Sequence, residues 1–135
     1  MRLLVSTLVL FLGLCCSFSV NYVVNGDPDT DITNEGCNPT TYSDGDAYGV
    51  AVKEALNNMF MTTPFALGYN YSVSVKSNGD SGLAAFAYGN CEKSLMATDC
   101  SACMIAAYND VTSLCNGHMA GWIGMVDCFI GYLPV

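Results

Sequence analysis

Four cysteines crowd into residues 91–115, and two of them, Cys100 and Cys103, form a C-x-x-C. Such a pair can run redox chemistry, hold a metal or staple the chain. A redox C-x-x-C sits at a helix N-terminus, where the dipole lowers a thiol pKa, and follows a strand in a βαβ setting. A position near a helix start fits here, but no parallel α/β pattern surrounds it. A structural zinc site needs a second ligand pair at matching spacing. The chain offers one C-x-x-C and one histidine, His118, so no metal or other cofactor is expected and His118 reads as a turn or surface residue. As staples the two cysteines make sense, because residues three apart project from one helix face and each can reach a different neighbouring segment. No nucleophile, base and orienting group stand in a recognisable motif, so the chain does not read as an enzyme. Asp127, beside Cys128, reads as a hydrogen-bonded structural group buried in a strand.

The elements that must position these residues follow from periodicity. Tyr48, Val52, Ala55, Leu56, Met59 and Phe60 recur on one face of a helix, with Ser43 or Asp44 to cap its start and Pro64 beyond its end. Tyr69, Tyr71, Val73 and Val75 alternate with polar residues, and the turn-forming "SNGDSG" separates them from Leu83–Tyr88, which predicts a β-hairpin. A second helix starts at Thr98 or Asp99 and stops at Asn116-Gly117, with Cys100, Cys103, Met104, Ala107, Val111 and Leu114 on its buried face. The tail, rich in β-formers and aromatics and broken by glycines, reads as two further strands. Helix, hairpin, helix, strands is the order of an α+β domain: an antiparallel sheet with two helices packed on it.

The first residues, one Arg and then an apolar run from Leu3 to about Cys16, read as a secretory signal peptide over 1–20. The run is short for a membrane span, and no second one follows. Residues 21–36 are polar and acidic without periodicity and read as a flexible lead-in; the domain proper is expected over 37–135. Removing the leader takes Cys15 and Cys16 with it and leaves Cys37, Cys91, Cys100, Cys103, Cys115 and Cys128, an even set that reads as three disulfides in a secreted domain. Six cysteines allow fifteen pairings, and spacing does not choose among them. Three lysines then face twelve carboxylates. Nucleic acid and anionic membranes are not expected as partners, since both need clustered Lys and Arg. Asn70-Tyr71-Ser72 is the one N-glycosylation sequon, Asn38-Pro39-Thr40 being blocked by its proline.

The spacing Cys91-x8-Cys100-x2-Cys103, preceded by "AYG" and followed by a last cysteine inside "DCFIGY", resembles the plant ginkbilobin-type cysteine-rich domain, also called the salt-stress-response/antifungal domain. The resemblance runs from about Cys37 to Leu133. It implies the bridges Cys37–Cys115, Cys91–Cys100 and Cys103–Cys128, with the longest loop contributing most to stability. Relatives of this kind occur as tandem copies in receptor-like ectodomains and as single secreted antifungal proteins that bind mannose. The single copy here resembles the second group. That implies an apoplastic defence protein whose partners are mannose-type glycans of fungal cell walls.

In the mannose-binding pattern an Asn follows the first cysteine, an Arg lies seven residues after the fifth and a Glu five after the last. Asn38 matches; the other two positions are Trp122 and Leu133. Trp and Leu do not replace a guanidinium and a carboxylate acting together on sugar hydroxyls, so the same mode of mannose binding is not supported by these residues. Trp122 can still stack on the apolar face of a sugar. The alternative is an apoplastic protein-interaction module, with Trp122 and neighbouring apolar residues as its contact surface.

Overall fold

Alternation of Tyr71, Val73 and Val75 with polar neighbours builds one arm of a central hairpin, and the sheet grows outward from it. The structure, a computed structural model, describes residues 27–79 and 82–135; the signal peptide read over 1–20 lies outside them. Seven elements follow in chain order: β1 (Ile32–Cys37), α1 (Ala47–Thr62), β2 (Asn70–Lys76), β3 (Ala84–Cys91), α2 (Ala97–Leu114), β4 (Gly121–Met125) and β5 (Cys128–Pro134). The sheet order is β1-β4-β5-β3-β2 and every pairing is antiparallel. Helix α1 lies over β2 and β3, and α2 over β4 and β5. This is the expected α+β fold, two helices on an antiparallel sheet.

The core forms where both helices meet the sheet, around Leu56, Met59, Met104, Ile123 and Ile130. Small residues let the helices approach: Ala85 and Ala87 face them from β3, and a Cβ on Gly89 would run into Met59 and Met104. Tyr48 and Tyr132 are buried with their hydroxyls bonded to main-chain carbonyls. Tyr48 donates to Met119 O at 2.6 Å, and the Tyr132 hydroxyl lies 3.0 Å from Cys115 O and 2.9 Å from His118 O.

Five expectations are corrected. β1 begins inside the segment read as a flexible lead-in. Its residues ITNEGC are mostly exposed, because an edge strand is held by backbone hydrogen bonds and needs no apolar alternation. Helix α1 is capped not by Ser43 or Asp44 but by Asp46, whose carboxylate accepts from Tyr48 N at 2.8 Å. Gly45 at φ +79° turns the chain first and so delays the helix. Helix α2 starts at Ala97 after Met96, without a side-chain cap, and Leu114 is 45% exposed rather than buried. The last turn of α2 passes beside the edge strand, next to Ile32 and Glu35, where no core remains to cover it. Asp127 lies half-buried in the β4–β5 turn, not in a strand. It is nevertheless a structural group: its carboxylate accepts from Asp29 N at 2.6 Å, extending order N-terminally of β1.

Burial pushes the Tyr48 and Tyr132 hydroxyls above the ordinary phenol value of 10.0, with nearby tyrosines adding to the shift. A phenol that stays protonated when folded and ionises when unfolded stabilises the fold below that ordinary value and loses the contribution as pH rises through and beyond it. We therefore expect urea midpoints to fall steeply above about pH 10, by up to ~1.4 kcal/mol per pH unit for each phenol. The slope should be smaller in Tyr48→Phe and Tyr132→Phe; an unchanged slope in both variants would remove these groups as its cause.

Candidate carbohydrate-binding site

The six cysteines form the frame on which any site must sit. Cys91 of β3 and Cys128 of β5 are direct cross-strand neighbours, and Cys100 and Cys103 face them from α2. Cys100 bonds to Cys91 and Cys103 to Cys128, so the C-x-x-C divides into two staples from one helix to adjacent strands. Cys37–Cys115 ties the end of β1 to the end of α2. All three pairings implied by the resemblance are present. Among the described residues no group of three or more His, Cys, Asp or Glu is placed to hold a metal ion, and no helix is long and apolar enough to cross a membrane.

Asn38 follows the end of β1, Trp122 lies on the neighbouring β4 and Leu133 on β5 beyond it. Trp122 and Leu133 occupy outward positions, facing away from the helices, and Asn38 leaves the end of β1 beside them. Asn38 N donates to Ala120 O at 2.9 Å, its Oδ1 accepts from Thr40 N at 2.9 Å, and its carbonyl oxygen lies 2.6 Å from His118 Nδ1. The side-chain oxygen is thus used in a local turn, and the amide NH2 is left to meet a ligand. Trp122 pairs with Gly131 and lays its indole over Gly36. It remains 38% exposed. Leu133, half-buried, lies opposite Phe86 on β3. No guanidinium or carboxylate stands at the two replaced positions. Asn70 is exposed, on the outward face of β2.

Two features escaped the reading of the sequence. Outward residues Phe86, Tyr88 and Phe129 make a row of rings beside Trp122; the alternation in "AAFAYG" carries that signal, with alanines on one face and aromatics on the other. Phe65 and Leu67, in the short 3-10 turns after α1, are 82% and 99% exposed. Gly68 and Tyr69 follow with φ of +66° and +53°, the latter rare for a bulky residue.

Two helices on a five-stranded antiparallel sheet, with three bridges radiating from one helix, define a small cysteine-rich α+β domain. The pattern of the family described as salt stress response/antifungal matches residues 36–133, and the chain belongs to that family. It is similar to the antifungal protein ginkbilobin-2 of Ginkgo biloba, with 31% identity over 106 residues covering 77% of this chain and 76% of that one. The antifungal protein ginkbilobin-like protein 1 of Picea sitchensis is 27% identical over 107 residues, covering 79% of each chain. The fold also matches the tandem DUF26 ectodomains of the Arabidopsis thaliana cysteine-rich receptor-like proteins PDLP8 and PDLP5, with TM-scores of 0.70 and 0.67 at 21% identity. Those matches cover 78% and 76% of this chain and 49% of each ectodomain, so this chain spans about half of either one. The family is a plant defence family and not a known enzyme family.

Proposed function

We propose that this protein is secreted through the leader at residues 1–20 and acts in the apoplast as an antifungal defence protein. The observation that carries this reading is the family match across the whole disulfide-bonded domain. Three bridges suit an oxidising extracellular setting, and the acidity sets the route apart from charge-driven lysis of anionic membranes. Asn70, exposed on the outward face, is the proposed glycan acceptor. Oxidised, refolded protein should slow hyphal extension, and reduced, alkylated protein should not. A protein inert on hyphae over the range where ginkbilobin-2 is active would sink the reading.

Carbohydrate recognition is the proposed mechanism, but not through the mannose arrangement. With Asn38 alone in place, retention on mannan should be no higher than on an uncoated matrix, and Asn38→Ala should leave it unchanged. Strong mannan retention lost in Asn38→Ala would reverse that conclusion. A second reading, an extracellular module that recognises a protein, is favoured by the exposed apolar residues Trp122, Phe65 and Leu67. A Phe65→Ser/Leu67→Ser variant that keeps full antifungal action would remove that turn from it.

A further inference from the structure

On β3 the usual arrangement of residue sizes is inverted. Small residues, Ala85 and Ala87, face the helices, while the large rings of Phe86 and Tyr88 face away from them. Rings pointing away from the core gain nothing from the helices; they are half-buried against one another across the sheet and keep part of their surface open. They form an ordered row. Phe86 and Tyr88 have centroids 5.7 Å apart and planes 30° from parallel; Tyr88 and Phe129 follow at 5.6 Å and 23°.

Glycines let these rings lie across the sheet. Tyr88 reaches over Gly131 of β5, where a Cβ would stand 2.7 Å from its Cζ and hydroxyl oxygen, and Trp122 covers Gly36 in the same way. The outward face is also nearly free of charge. Among the described residues no carboxylate occupies an outward strand position, and the one charge in that register is Lys76 at the far end of β2. Its border is instead amide and hydroxyl, from Asn90 on β3 and Ser72 and Ser74 on β2.

An uncharged row of offset-stacked rings, each half-buried and leaving part of its face to solvent, edged by amides and hydroxyls, complements a sugar chain whose pyranose units present C–H faces to the rings and hydroxyls to the sides. A second copy of this protein fits less well, since it would bury the exposed Ser72 and Ser74 without assured partners. We infer that the outward face of β3, β5 and β4, through Phe86, Tyr88, Phe129 and Trp122, binds an extended neutral β-linked polysaccharide of the glucan or chitin type. This rests on the extracellular antifungal reading and gives its carbohydrate recognition a ligand class other than mannose.

Trp122 is the only tryptophan, so its emission reports on this face directly. Chitohexaose and laminarihexaose serve as soluble probes, and insoluble chitin and β-1,3-glucan as matrices; the two arms separate the two sources. At least one probe should shift Trp122 emission saturably and shield it from acrylamide. Tyr88→Ala should weaken that binding at least tenfold. Gly131→Val, which keeps every ring but displaces Tyr88, should do the same, while Met61→Ala on the helix side should leave it unchanged. The inference is overturned by no emission change and no retention at millimolar sugar, or by unchanged binding in both face variants. A dimer in sedimentation that Tyr88→Ala dissociates also overturns it, by assigning the face to a second copy. Hyphal growth measured in parallel keeps the two readings apart. Inhibition without polysaccharide binding removes this inference alone, and binding without inhibition removes the antifungal reading alone.

Discussion

Replacing Cys37 and Cys115 by serine should lower the melting temperature by ~10 °C more than replacing Cys91 and Cys100 by serine. The Cys37–Cys115 bridge spans 78 residues of sequence, Cys103–Cys128 spans 25 and Cys91–Cys100 spans 9. In the chain-entropy account these closures stabilise by about 4.5, 3.5 and 2.6 kcal/mol respectively, upper figures that assume an unstructured reduced chain. The ranking has a structural counterpart. The long bridge holds the edge strand β1 against α2, whereas Cys91 and Cys100 are joined by a short link that keeps them close even when reduced. Calorimetry on the two double variants checks this, and the opposite order would remove the entropic account.

The second large effect comes from Gly121. A Cβ there would lie 2.6 Å from Cys115 Sγ, 2.8 Å from Cys115 Cβ and 3.1 Å from Tyr132 Cε1. None of these atoms is free to move, since Cys115 is bonded to Cys37 and the Tyr132 hydroxyl is tied to main-chain carbonyls. Gly121→Val should therefore cost about 3 kcal/mol, near the top of the usual range for overpacking. Gly131→Val meets a Tyr88 ring at a similar distance, but that ring is half-buried at the surface and can swing into solvent. Its cost should be about 1 kcal/mol, partly offset by the preference of valine for strands. Urea midpoints compared at constant m-value test the contrast. Equal losses at the two sites would mean that the mobility of the neighbour does not decide the cost.

Much of this architecture was legible because burial writes itself into periodicity. Val52, Leu56 and Met59 mark α1, Met104 and Val111 mark α2, and Tyr71, Val73 and Val75 mark the hairpin; each set packs into the core. The cysteine spacing carried the family and, through it, the pairing. What remained hidden does not depend on burial. β1 is held by main-chain hydrogen bonds, so Thr33, Asn34 and Glu35 look like a loop. The cap at Asp46 depends on the turn at Gly45, which the acidic run 44–46 does not distinguish from its alternatives. Of the site, Asn38, Trp122 and Leu133 were placed by the resemblance, whereas the ring row was not. Phe86, Tyr88 and Phe129 come from two strands, and only the register brings them side by side.

β1 also bears on how this chain behaves toward its own copies. It lies at the N-terminal side of the domain, yet its hydrogen-bonding partner β4 comes near the C-terminal end, and it occupies the sheet edge. Such a strand is the element most readily exchanged, since the β1 of one molecule can serve the β4 of another and link the two in a swapped pair. The Cys37–Cys115 bridge closes that route by fixing β1 to its own α2. Redox state then decides whether strand exchange is open to this fold, and protein concentration decides how far it goes once the bridge is reduced.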